Sequence, residues 1–79
     1  MFQMTIEDVI RIGNNISFGG PCENRHEFTN QLTDDDGNMY DTYIPLGKDL
    51  VVDDSQITLC LQSEIDESVL IGRVLRSIA

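Results

Sequence analysis

The chain has 79 residues, 41% hydrophobic and 24% charged, and fourteen acidic side chains against five basic ones give a net charge of -9. That length accommodates a single domain over residues 1–79 with a thin core, and the composition excludes a disordered tail or a disulfide scaffold. The negative field repels phosphate, which disfavours nucleic acid and anionic membranes as partners and suits a basic protein surface or a cationic small ligand.

The opening residues carry two patterns. Thr5 and Asp8 imitate a helix capping box, with Val9, Ile10 and Gly13 placed like a helix face and its stop. Against this, Phe2, Met4, Ile6, Ile10 and Ile12 all occupy even positions, as in a strand with one apolar face. Gly13-Asn14-Asn15 is a turn signal, Ile16-Ser17-Phe18 a short β-prone run, and Gly19-Gly20-Pro21 a second break. Between His26 and Leu46 a hairpin is expected. Phe28, Asn30 and Leu32 alternate with Thr29 and Gln31, Asp34-Asp35-Asp36-Gly37-Asn38 turns the chain, and Tyr40 to Ile44 returns.

Pro45 and Gly47 are expected to end that strand, Leu50-Val51-Val52 could form a brief one, and Asp53-Asp54-Ser55 is a further turn signal. The clearest strand is Ile57 to Gln62, with Ile57, Leu59 and Leu61 on one face and Thr58, Cys60 and Gln62 on the other. In the tail, Ser63 and Asp66 could cap a helix striped by Val69, Leu70, Val74 and Ile78. Gly72 favours a turn leading into a strand from which Val74 and Ile78 point inward. The start Met1-Phe2-Gln3-Met4 lacks a signal-peptide layout and no apolar run reaches membrane-spanning length, so a cytoplasmic location without membrane contact is expected. Cys22 and Cys60 are expected to be reduced, Cys60 packing as a small hydrophobe.

Both ends resemble the second domain of elongation factor Tu and related translational GTPases. Phe2, Met4, Ile6, Glu7, Asp8, Val9 and Ile12 match that family's opening strand without a gap, and Leu61, Glu67, Gly72, Val74 and Leu75 stand at the spacing of its closing strand, with Val69 where it has Ile. The resemblance implies an all-β fold, a small closed six-stranded Greek-key barrel, and a docking role inside translation factors. Inward positions would be Ile6, Ile12, Phe28, Ile57, Leu59, Leu61 and Val74. The loop Gly13-Asn14-Asn15-Ile16 is one residue shorter than the family's and lacks its arginine, which removes the basis for carrying over tRNA binding. Residues 22–54 do not align.

Candidate chemistries are thinly supplied. Gly47-Lys48-Asp49 lacks the upstream glycine and the hydroxyl of a phosphate-binding loop. An EF-hand aligned on Asp34, Asp35, Asp36 and Gly37 would need ligands at Leu32 and Tyr43, so a solvated acidic hairpin tip is expected there. Cys22 and His26, near Glu23 and Glu27, are too few for structural zinc. His26 is the one histidine available as a general base, and Ser17, Thr29 or Cys22 stand at no nucleophile spacing from it. Asp53-Asp54 reads as a turn and not as a catalytic dyad. The expectation is a non-catalytic barrel without metal or cofactor that docks onto a protein partner. The alternative is a groove at the barrel mouth, lined by Tyr40, Asp41 and Tyr43, for a cationic metabolite. Self-association is also allowed, since a second copy can complete a thin core and an apolar patch.

Overall fold

The computed structural model describes residues 1–45 and 55–78. Seven strands form in chain order: β1 (Gln3–Thr5), β2 (Asp8–Ile12), β3 (Asn15–Glu23), β4 (Gln31–Thr33), β5 (Met39–Tyr43), β6 (Gln56–Gln62) and β7 (Val74–Ser77). Two 3-10 turns, Arg25–Glu27 and Glu67–Val69, are the helical segments among the described residues, and no helix there is long and apolar enough to cross a membrane. Every pairing is antiparallel. The order β1-β7-β4-β5-β6-β3 closes on itself through β1 and β3, giving a six-stranded barrel with β2 attached outside the ring to β3. β7 lies beside β4, the first of three consecutive strands, which is the Greek-key arrangement. The expected strand at 50–52 and the first two residues of the expected turn at 53–55 fall outside the described residues, and Ser55 stands in a turn.

The strand reading of both termini holds, with a correction at each. β1 and β2 run along the same strand, β3, but not in one register. Between the pairs Met4↔Cys22 and Asp8↔Gly19, three residues of the first arm (5–7) face two of β3 (20–21). This one-residue bulge reverses the inward face, because side chains alternate with a period of two. Met4 and Ile6 are therefore buried, whereas Ile10 and Ile12 are 62% and 70% exposed, and Val9 packs against the core instead. Ile12 is not an inward residue.

The bulge also explains why Gly19-Gly20-Pro21 does not break the chain, and β3 runs through it for nine residues. A Cβ on Gly20 would lie 1.9 Å from the Thr5 carbonyl oxygen, so only glycine fits where the bulge crosses β3. Pro21, which has no N–H, sits in the bulged stretch where ladder bonding is already interrupted.

At the other end the capping residues act locally. Ser63 Oγ accepts from the Ile65 amide at 3.1 Å, and Asp66 caps only the Glu67–Val69 turn, through the Ser68 amide at 3.0 Å. Gly72 (φ +86°) then turns the chain into β7. In β7 the buried residue is Leu75; Val74 is half-buried and Ile78 exposed, contrary to the expected inward pair. Leu70, which the helical stripe would have carried, is fully buried in the core.

Ile57, Leu59 and Leu61 face inward as their alternation requires, and Phe28 packs edge to face on Phe2 at 5.4 Å between centroids. They join Phe2, Met4, Ile6, Ile16, Phe18, Leu32, Tyr40, Leu70 and Leu75 in one core. Each fully buried side chain of this kind contributes ~1.5 to 3 kcal/mol before conformational entropy is subtracted. Cys60 is buried outside that core, on the outer face between Ser17 and Tyr43.

Candidate docking surface

At the turn between β4 and β5, Asp34 is buried in an organised polar knot, which corrects the expectation of a solvated tip there, whereas Asp35 and Asp36 are 72% exposed as that expectation has them. The chain reverses at Gly37 (φ +85°), and the Asp34 and Asn38 backbones are tied by an amide-to-carbonyl bond of 3.1 Å. The Asp34 side chain is only 2% exposed and accepts five hydrogen bonds. Its Oδ1 takes the Asp36 and Asn38 amides at 2.9 and 3.0 Å; its Oδ2 takes Asn38 Nδ2 at 3.1 Å, the Tyr40 hydroxyl at 2.7 Å and Arg73 Nη1 at 2.9 Å. Burial by itself would push this carboxyl up, but the hydrogen bonds from Tyr40, Asn38 and the two amides outweigh it and hold Asp34 down to about 2. Burial and the same bond push the Tyr40 hydroxyl up to about 12.

Two arginines from the far end of the chain complete the knot. Arg73 also reaches Asp36 at 3.2 Å and donates from Nε to the Val69 carbonyl at 2.8 Å, while Arg76 pairs with Asp35. Arg11 does similar work elsewhere, bonding Glu67 at 2.8 Å, the Ser63 carbonyl at 3.1 Å and the Ile65 carbonyl, which fastens the 63–67 loop beneath β2. Three of the four described arginines are thus spent on the chain's own carboxylates. The remaining exposed carboxylates, Glu7, Asp8, Glu23, Asp41 and Glu64 among them, dominate the outward charge.

Beside the knot lies a cleft of about 440 Å³, walled by Asn38–Asp41 of the β5 arm, Leu61–Ser63 at the end of β6, Ile65, Val69 and Arg73. Of its polar lining groups, the Tyr40 hydroxyl and the Arg73 guanidinium are committed to Asp34 within the chain. Met39, Ile65 and Val69 are solvent-exposed around it, interleaved with the exposed polar side chains of Asn38, Asp41 and Gln62. A second, shallower groove of about 240 Å³ crosses the outer face of β2, β3 and β6, from Asp8 and Ile10 over Ser17 and Gly19 to Thr58. Register places Ile10, Ser17, Cys60 and Tyr43 in one row on that face, small residues in the middle and large apolar ones at either end.

Two of the three residues of the metabolite groove expected from sequence come together at the cleft beside the knot. Tyr40 and Asp41 both line the cleft, Tyr40 with its hydroxyl committed to Asp34, whereas Tyr43 lies on the outer face by Cys60. Cys22 is buried in β3, whereas His26 is exposed with Nε2 3.6 Å from Glu27. Among the described residues no three of His, Cys, Asp and Glu converge as a metal would require. Ser17 lies on the outer face of β3, and Thr29 donates to the Gln31 carbonyl at 3.1 Å. Leu32, the position an EF-hand needs as a ligand, is core. Gly47-Lys48-Asp49 and Asp53-Asp54 lie outside the described residues. Sequence reasoning does not find the Asp34 knot; its trace there is an aspartate at the head of the Asp34-Asp35-Asp36-Gly37-Asn38 turn, the first position of an Asx turn. Comparison with family models, with curated proteins and with solved structures finds no match to this chain.

Proposed function

We propose that this chain is a non-catalytic binding barrel that docks onto a protein partner through the cleft beside the Asp34 knot. The observation that carries the proposal is the contrast inside that cleft: the Tyr40 hydroxyl and the Arg73 guanidinium that line it are committed to Asp34, while Met39, Ile65 and Val69 stand exposed around it. Saturated polar groups leave little for substrate chemistry, and clustered exposed apolar side chains are what a protein interface covers. The net charge of -9 supports a basic partner surface and opposes nucleic acid. The likeness of the two end strands to the second domain of elongation factor Tu supports a translation-associated setting.

Affinity capture comparing the native chain with Met39→Glu and Val69→Glu tests the proposal. Both positions are exposed, so the variants should fold, and one stoichiometric protein should be lost with them. Binding of RNA at physiological salt would overturn the charge reasoning. The cleft's volume and its Asp41 wall favour a cationic small ligand as the second reading. Stabilisation by such ligands in a thermal-shift screen, with no protein captured, would select it.

A further inference from the structure

Resting on the docking role proposed above, but on a different surface, we propose that the outer edge of β2 receives an extended, cationic segment of the protein partner as an added strand. Among the described residues β2 is the one strand with a neighbour on one side only. Its hairpin with β3 closes on the pair Ile12↔Asn15 over two loop residues, with Gly13 at φ +62° as the first of them. In such a hairpin the closing pair is hydrogen-bonded and pairs alternate from there. Ile12, Ile10 and Asp8 therefore bond to β3, and Val9 and Arg11 turn their N–H and C=O groups away from it, toward the free edge. No other backbone group among the described residues pairs with them.

The flanking side chains define the occupant. Ile10 and Ile12, 62% and 70% exposed, project on the outer face, where apolar side chains of an added strand would lie across from them. The groove floored by Gly19 begins at Ile10. Glu7 and Asp8 at one end, with Glu64 and Asp66 on the loop beneath, are exposed, while Arg11 is neutralised by Glu67. An added strand alternating Val or Ile with Lys or Arg satisfies the backbone groups, the isoleucines and the carboxylates together. A second copy could pair antiparallel about Ile10, but it would bring another net charge of -9 to the same edge.

The test titrates isotope-labelled full chain with short peptides alternating Val or Ile with Lys or Arg, and with the same peptides N-methylated at every second amide. Saturable binding is expected, with slowed amide exchange at Val9 and Arg11 and an affinity loss of about tenfold or more on N-methylation, since two backbone bonds disappear. Equal binding of the methylated peptides would reduce the contact to charge attraction and overturn the proposal, as would no binding at all. Protection of Val9 and Arg11 that rises with protein concentration alone would overturn it in favour of self-pairing. A captured partner that tolerates Ile10→Glu but is lost with Val69→Glu would sink this inference and leave the docking role standing.

Discussion

β1 and β2 come from one run of alternating residues, pair with the same strand and meet opposite fates. In β1 the even positions are the core: Met4 is sealed between β3 and β7, with Ile6 just beyond. In β2 the even positions Ile10 and Ile12 face solvent, and the strand has no second neighbour. A single extra residue at the bulge separates the two outcomes. Periodicity therefore identifies a strand but does not fix its inward face across a bulge, because one residue of slip exchanges the two faces.

The contrast breaks most severely at Gly20. Gly20→Val would drive side-chain atoms into the Thr5 carbonyl, and we expect a loss of about 4 kcal/mol or more, read as collapse of the urea midpoint. Ile6→Ala should cost about 3 kcal/mol by emptying a fully buried site.

Asp34 is next. Its folded value, about 2 against an ordinary 3.8, means that the ionised form is favoured by folding. That contribution, about 2 kcal/mol, is complete above pH 4, declines as pH falls, and is gone below about 2. Denaturation of the native chain and Asp34→Asn across that range should show two curves well separated at pH 6 and converging in acid. A constant separation would dissociate the ionised carboxylate from the stability of the turn. The raised Tyr40 value reports the same O–H···O bond and adds no second increment.

The smallest effect sharpens the comparison most. Ile12→Ala should change stability by less than about 0.5 kcal/mol, although its side chain is identical to that of Ile6. A cost approaching that of Ile6→Ala would mean that Ile12 is buried and that the bulge is misplaced.

Much of the barrel was legible in the sequence. Ile57, Leu59 and Leu61 announce β6 by strict alternation, and Asp36-Gly37 marks the turn that the β4–β5 hairpin makes. Pattern misled where the structure depends on a partner distant in sequence. Gly19-Gly20-Pro21 reads as a break until the crossing of Thr5 is known, and Val74 instead of Leu75 appears inward until β7 is paired with Met4. The cleft is half legible: Tyr40 and Asp41 are expected at it from sequence, but Met39, Ile65 and Val69 come together only through the path of the 63–69 loop. Asp34 was read as solvated because its fourth and fifth donors, Tyr40 and Arg73, are six and 39 residues away.

The seam between β1 and β7 joins Gln3 to Arg76, almost the whole chain apart, and the Ser77 amide bonds the Phe2 carbonyl across it. Zipping it requires closing the longest loop the molecule contains, so it has the highest entropic threshold of any pairing and should be the last to form. Until then the hairpins β4–β5 and β2–β3 can assemble locally, but the cylinder stays open. Folding of this barrel is in that sense a clasp: its first and last strands must find each other before the core between them is sealed from water.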